Sequence, residues 1–288
     1  MPTTSTAETT TLLRAAGALL PDQSLRGPDV LAARLLPWRP LGRALIKVPG
    51  LRSRVARAVL RNWPSALWYE VARTRYMDDV VRAEVAAGAR QVVILGAGFD
   101  TRAYRLRSLF ADAAVYEVDQ AEVSELKQAR AGKLGTADVR YVVTDFNEED
   151  LAAAMARGGF DPGVRSVVVW SGVTPYLEEH GVVRTLRWFA SQASGSSIVF
   201  DYAWREIVEG TEELSDASTV MRNVAARGEP WRWGIRKGCA AEFLGSFGLV
   251  VAEHLDMTEA QERYLRRTDG GVQGPVWTFG GFAHARVG

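Results

Sequence analysis

Cysteine is almost missing. Cys239 stands alone in 288 residues, which excludes an internal disulfide and any metal site built from several thiolates. A lone thiol suits a reducing cytoplasm, the expected location, and its place at the start of an expected helix over 237–247 assigns it to packing. Histidine is nearly as scarce. His180, His254 and His284 are the whole supply; none lies in a recognisable motif, each reads as structural or surface, and no bound metal is expected. A surplus of one charge is lacking too, since 35 basic against 34 acidic side chains leave a net charge of +1. Nothing in that balance calls for nucleic acid. No run approaches the roughly 18 apolar residues that cross a bilayer. Met1 to Thr11 is polar and acidic-leaning with no long apolar run behind it, which reads as a frayed tail rather than a signal peptide. No internal repeat or low-complexity linker is visible.

What is present is the mixture of a globular protein with a substantial core, 47% hydrophobic and 24% charged. The charge is unevenly spread. Nine basic residues (Arg26, Arg34, Arg39, Arg43, Lys47, Arg52, Arg54, Arg57 and Arg61) face one acid, Asp29, across 26–61. Leu45, Val55, Val59 and Leu60 interleave with them, and Pro37, Pro40 and Pro49 break the segment into short amphipathic helices. It reads first as a solvated helical cap, with an acidic carrier protein or an anionic membrane surface as the sharper alternatives.

The spacing of Leu67, Trp68, Val71, Ala72, Val80, Val81 and Val85 predicts a long helix over 65–87, with Ser65 as its cap and Gly88 as its end. At Gln91 the period changes. Gln91-Val-Val-Ile-Leu95 is a short apolar, β-branched run, as expected of a strand buried on both faces. Runs at 115–119, 140–144, 166–170 and 197–202 repeat it, separated by helical patterns over 122–133, 148–157 and 178–193. Alternation of this kind implies crossovers and a parallel sheet. After an irregular stretch over 204–236 come a helix, a strand over 249–254, a helix near 258–265 and a strand over 276–286, enough to close seven strands. The expected architecture is α/β, a doubly wound, mostly parallel seven-stranded sheet. A tail and helical cap occupy 1–88, and one domain fills 89–288 with a lid-like insertion near 203–236.

The chemistry-bearing segment is Leu95-Gly-Ala-Gly-Phe-Asp-Thr-Arg102, directly after the first buried strand. Two glycines there let the backbone bend sharply and let a ligand approach the main chain. The third glycine of a dinucleotide fingerprint is missing, since Thr101 holds its place, so a pyrophosphate loses part of its cradle. A cofactor without phosphates, such as S-adenosylmethionine, fits better. Val115-Tyr-Glu-Val-Asp119 then sets a carboxylate at the end of the next strand, about twenty residues on, where it can accept both ribose hydroxyls of an adenosine. Glu117, two residues back, is the second choice. Thr144-Asp-Phe146 ends the third strand: Asp145 is either an acceptor for the adenine amino group or the cap of a helix starting near Glu148, and Phe146 can cover a ring.

Arg73-Thr-Arg-Tyr-Met-Asp78, the 95–106 segment, Tyr116-Glu-Val-Asp-Gln120, Asp145-Phe146 and Gly172-Val-Thr-Pro-Tyr-Leu177 occur in this order at suitable spacing. Together they resemble the leucine carboxyl methyltransferase-like family, which includes protein phosphatase carboxyl methyltransferases and bacterial O-methyltransferases of polyketide pathways. The likeness is good over 65–202 and looser over 229–265. It implies a class I methyltransferase-like Rossmann fold and S-adenosylmethionine as cofactor. It further implies that Arg73 grips the methionyl carboxylate, that Gly96, Ala97 and Gly98 line the methionine portion, that Asp119 holds the ribose, and that Asp145 and Phe146 hold the adenine. Family members often carry Glu-Gly where this chain has Ser171-Gly172, so Ser171 beside the cofactor is a departure. Tyr176 would face the reaction zone.

The acceptor is expected to be a hydrophobic small molecule, as in secondary metabolism, held between the cap and the 203–236 insertion with Trp204, Trp231 and Trp233 as candidate walls. The same tryptophans are equally able to fill the contact between cap and domain. With no histidine base evident, a carboxylate or acidic phenol oxygen is favoured. Two other functions remain open: a nicotinamide-dependent oxidoreductase, which lacks an evident catalytic set here, and a protein of this fold that binds cofactor or substrate without transferring methyl.

Overall fold

The computed structural model describes residues 3–37, 49–212, 214–226 and 228–288. Its centre is a seven-stranded sheet in the order β3-β2-β1-β4-β5-β7-β6, built from β1 (Gln91–Leu95), β2 (Ala114–Asp119), β3 (Arg140–Val143), β4 (Ser166–Trp170), β5 (Ser197–Ala203), β6 (Leu249–Asp256) and β7 (Gly280–Val287). The first five strands run parallel, and β7 alone is antiparallel to its neighbours β5 and β6. This is the class I methyltransferase sheet.

The apolar runs of β1, β2, β4 and β5 are buried on both faces because successive side chains feed opposite layers, whereas the 140–144 run forms the edge strand β3, which buries Val142 and exposes Val143. Val92, Val167 and Val199 join the layer that holds the helix Pro64–Ala86, whereas Val93, Val168 and Ile198 join the layer of the helices after β3 and β4. Leu95 is level with Val118 on one side and Trp170 on the other. The loops leaving β1, β2 and β4 therefore emerge together where strand order reverses, the place such sheets form a ligand crevice.

Pro64–Ala86 is buried over most of its surface, and its buried ionic residues survive there because each is paired. Arg73 meets Glu70 and Asp201, Asp78 meets Arg102 and Arg105, and Glu84 meets Arg165 and Arg286. Ser65 does not cap this helix. Trp63 occupies the cap with no side-chain bond and Pro64 supplies the first turn, so the Ser65 hydroxyl instead donates to Asp216. Asp145 caps no helix either: Asp150 accepts from the amide of Ala152 at the start of Leu151–Arg157, while Asp145 accepts from the amide of Asn147 in the turn before it.

Two segments are more ordered than their composition suggests. Met1 and Pro2 of the expected frayed tail over 1–11 lie outside the described residues, and residues 3–11 begin the helix Thr3–Ala18. Its threonine hydroxyls bond back to carbonyls one turn earlier, Thr11 to Ala7 at 2.6 Å and Thr10 to Thr6 at 3.2 Å, and Leu13, Ala15 and Ala16 are buried. Packing overrides weak local propensity here. The 204–236 stretch likewise contains the helices Arg205–Val208 and Ser215–Ala225. Of the basic segment, Arg39, Arg43 and Lys47, with Pro40 and Leu45, lie outside the described residues. The helix Pro49–Asn62 buries Ala56 and Val59 and exposes Arg54, Arg57 and Arg61, as a solvated cap would. Among the described residues, no helix is long and apolar enough to cross a membrane.

Candidate functional site

A cavity of about 380 Å³ opens over the C-terminal ends of β1, β2 and β4, within the size range of small-molecule sites. Arg73, Gly96, Ala97, Gly98, Asp119, Asp145, Phe146, Ser171 and Tyr176 all border it. Sequence reasoning singled out these nine residues from five separate segments, and the fold brings them to one wall.

The turn after β1 requires its glycines. Gly96 sits at φ +59°, and a Cβ there would lie 2.3 Å from Cγ2 of Val173; Gly98 sits at φ +46°. Replacing Gly96 by alanine is expected to cost about 2–4 kcal/mol, from left-handed backbone and the methyl clash together. A urea midpoint unchanged from the parent protein would refute that.

Asp119 is braced for its position. Gly98 donates its amide N–H to Oδ2 at 2.6 Å and Gln120 donates to Oδ1 at 2.8 Å. Burial pushes its carboxyl up, against the pull of those amides and Lys127. Two occupied positions leave each oxygen free to accept further hydrogen bonds. Gln120 also donates through its side chain to Asp145 at 2.7 Å, tying the two carboxylates together. Glu117 is not an alternative to Asp119. It borders neither this cavity nor the one beside it, is fully buried, and pairs with Lys127 at 2.6 Å.

The wall discriminates between cofactors. The amides of Ala97 and Gly98 already bond to Val118 and Asp119, so neither is left for a pyrophosphate. Five carboxylates (Asp100, Asp119, Asp145, Glu178 and Glu229) against the guanidiniums of Arg14, Arg73 and Arg232 make the lining acidic. An acidic wall suits a sulfonium and opposes phosphate. The residues present therefore fit S-adenosylmethionine and do not fit a dinucleotide.

A second cavity, about 340 Å³, adjoins the first, and both touch Thr6, Thr10, Arg73, Gly172 and Tyr176. Its walls include Leu13, Trp63, Tyr69, Trp231, Trp277 and Phe279. Of the three tryptophans expected around an acceptor, only Trp231 lies here. Trp204 stacks under the Lys237 ammonium at 4.0 Å. Trp233 is buried against Phe243, 5.5 Å between ring centres. Both are spent on packing the segment after β5, where Trp204 and Ile235 form a bridge.

Arg73 marks the seam between the cavities. Its Nη1 donates to Asp201 at 2.7 Å, its Nη2 pairs with Glu70, and the guanidinium packs where a Cβ on Gly172 would sit 2.8 Å from Nη1. Burial works against its charge, but Asp201 and Glu70 more than restore it, so its pKa lies well above the ordinary arginine value. Asp201 also accepts from the Tyr69 hydroxyl at 2.8 Å and the Gly172 amide at 2.6 Å. Burial pushes the Tyr176 phenol up to about 12. Sequence reasoning did not single out Asp201, Glu70 or the helix Thr3–Ala18, whose Thr6, Ala7, Thr10 and Arg14 close over the glycine turn. Asp201 had a signal: like Asp119 it is a carboxylate toward the end of a buried strand run.

Comparison with known proteins places this geometry. The sequence pattern of the leucine carboxyl methyltransferase family matches residues 7–190. A Mycolicibacterium paratuberculosis protein assigned as an S-adenosyl-L-methionine-dependent methyltransferase is 32% identical over 271 residues, covering 88% of this chain and 81% of that protein. A second relative from the same organism, with the same assignment, is 35% identical over 207 residues, covering 68% of this chain and 62% of its own length. A Mycobacterium marinum relative so assigned is 37% identical over 183 residues, covering 61% and 59%. The chain thus spans about three fifths of the length of these last two. Among solved structures, a DUF574 family protein from Streptomyces avermitilis aligns over 83% of this chain and 91% of its own, with a TM-score of 0.59 and 19% identity, a likeness of fold alone. Breadth of match and identity together decide the kinship: the chain belongs to the leucine carboxyl methyltransferase family.

Proposed function

We propose that the protein is an S-adenosylmethionine-dependent O-methyltransferase acting on a hydrophobic small molecule, of the kind tailored in polyketide or other secondary metabolism. The observation that carries this reading is the pair of adjoining cavities sharing Arg73, Gly172 and Tyr176, one acidic and glycine-floored, the other aromatic. Arg73 would hold the methionyl carboxylate, Asp119 the ribose, and Asp145 with Phe146 the adenine. Ser171 leaves the wall beside them without a further carboxylate. When bound, the cofactor supplies an activated methyl on a sulfonium. The chain's own part is alignment and exclusion of water: the helix Thr3–Ala18 covers the seam, and the aromatic walls seat the acceptor against it. Tyr176, neutral at pH 7, can donate a hydrogen bond at that seam. The exposed Arg54, Arg57 and Arg61 face suits an acidic carrier protein that delivers the acceptor.

Calorimetric titration tests the reading. S-adenosylmethionine or its demethylated product is expected to bind at micromolar strength and to raise the melting temperature by mass action, whereas NAD is expected to give no heat. Binding of NAD without binding of either adenosyl compound would replace methyl transfer with a nicotinamide reaction.

A further inference from the structure

The aromatic cavity has a rim that the proposed function does not use. Four of the rings bordering it adjoin in series: Tyr69 and Trp277 lie 5.1 Å apart between centres, Trp277 and Phe279 5.7 Å, and Phe279 and Trp231 6.0 Å. Trp63 borders the cavity too and is 49% exposed, a large ring left open at its mouth. Asp216 joins them from the first turn of the helix Ser215–Ala225 and is exposed. Its Oδ2 accepts from the Ser65 hydroxyl at 3.3 Å, and among the described residues nothing else reaches the carboxylate. Asp216, Trp63 and Ser65 do not border the cofactor cavity, so this end lies away from the seam. The chain's own cations leave the rim alone. Arg73 is the one basic residue among the described lining residues, but it pairs with Glu70 and Asp201 and holds the cofactor in the proposed function, so all three stand outside the balance at the rim. Arg61 precedes the lining residue Asn62, yet among the described residues it neither borders the cavity nor pairs with Asp216. One carboxylate and a wall of ring faces remain. That is the chemistry that holds an ammonium, since ring quadrupoles attract a cation and a carboxylate completes the pair.

Resting on the O-methyl transfer read above, we infer that the acceptor carries a protonated amine remote from the oxygen that is methylated, held at the rim by Asp216 and the ring faces beside it. The hydrophobic body of the acceptor lies along the wall of Tyr69, Trp277, Phe279 and Trp231. An aliphatic amine is charged at pH 7, so the rim reads charge where the wall reads only shape. The sulfonium of the cofactor, at the seam, repels a second cation there. The acceptor therefore enters with its oxygen inward and its amine outward. A negative charge on the same part of the acceptor meets Asp216 and finds no free guanidinium among the described lining residues.

The preference is readable without turnover. Calorimetry of the full chain at pH 7.5 compares 2-naphthylmethylammonium, its neutral isostere 2-naphthylmethanol, and 2-naphthoate, with saturating S-adenosylhomocysteine filling the acidic cofactor cavity. The ammonium is expected to bind about fivefold or more tightly than the alcohol, and the alcohol more tightly than naphthoate. In Asp216→Asn, which keeps an oxygen for the Ser65 hydroxyl and is verified as folded by its melting curve, the ratio of ammonium to alcohol is expected to fall roughly threefold. The alcohol should keep its affinity there to within about twofold. Equal or tighter binding of the alcohol or of naphthoate by the parent protein would overturn the inference, as would failure of all three probes to bind. So would an unchanged ratio in folded Asp216→Asn. If that variant does not fold, the comparison of probes on the parent protein decides alone. Failure of S-adenosylhomocysteine to bind would count against the cofactor reading. The ratio is then scored on the empty protein, where Asp216→Asn still reports the aromatic cavity because Asp216 does not border the other one.

Discussion

Replacing Arg73 by alanine is expected to lower stability by about 3–5 kcal/mol and to abolish cofactor binding. The first loss comes from the charges that the guanidinium leaves behind. Glu70 and Asp201 are both buried, their charges meet at Arg73, and removing one partner of a buried ion pair strands the other in a medium that cannot solvate it. The second comes from position, since Arg73 borders both cavities at their seam. Arg73→Lys separates the two effects. It keeps the charge and loses the planar fork, so it is expected to weaken S-adenosylmethionine binding by about 1–3 kcal/mol, with a smaller loss of stability than alanine causes. Urea denaturation and calorimetric titration on the same preparations read both quantities. A stable alanine variant would show that the two carboxylates do not need the guanidinium between them. A destabilised one that still bound cofactor normally would leave Arg73 a purely structural cation.

The glycine turn and the carboxylate of Asp119 were legible in the sequence because their geometry is local. The β-branched run Gln91–Leu95 forms a fully buried strand, and the chain leaving that strand must turn over its end. The register that sets Leu95 beside Val118 and Trp170 then gathers those turns without further instruction. Trp204, Trp231 and Trp233 were not separable in this way. They share one short segment and one side-chain type, yet Trp231 borders the aromatic cavity and the other two face packing, a choice made by the bridge from Trp204 to Ile235. Glu70 was hidden for a different reason. Three residues before Arg73 on one helix, it looks like an ordinary surface pair, and only the burial of that part of the helix makes the pair a buried one. The helix Thr3–Ala18 has threonines where a sequence reader looks for helix formers. Its order comes from Arg14, which donates to Asp29 and to the Phe99 carbonyl, and from Glu8, which meets Arg130.

Lys127→Met is the second change with a large expected effect, and its size should depend on pH. Lys127 and Glu117 are each about 1% exposed in their side chains and face one another at 2.6 Å beneath the cofactor wall. Burial pushes the Glu117 carboxyl up to about 7, against the pull of Lys127. Its folded value lies above the unfolded one, so the folded chain holds that proton more tightly. The contribution of Glu117 to stability is therefore fully present below the unfolded value of 4.5 and is lost as pH rises toward 7. Without the ammonium the carboxyl rises further, and ionising it in place becomes more costly. The methionine variant is expected to lose about 3–5 kcal/mol at pH 8 and distinctly less at pH 6, the gap growing by up to about 1.4 kcal/mol per pH unit between the two carboxyl pKa values. Because Lys127 also draws down the carboxyls of Asp100 and Asp119, cofactor affinity should weaken in the same variant. The double variant Glu117→Leu with Lys127→Met removes both charges and is expected to return to within about 1 kcal/mol of the parent protein or above it, as apolar replacements of buried pairs often do. Urea denaturation at pH 6 and pH 8 measures all of this. Equal losses for Lys127→Met at both pH values would show that Lys127 does not shift the Glu117 carboxyl. A double variant as unstable as the single one would show that the pair is held by its packing rather than by its charge.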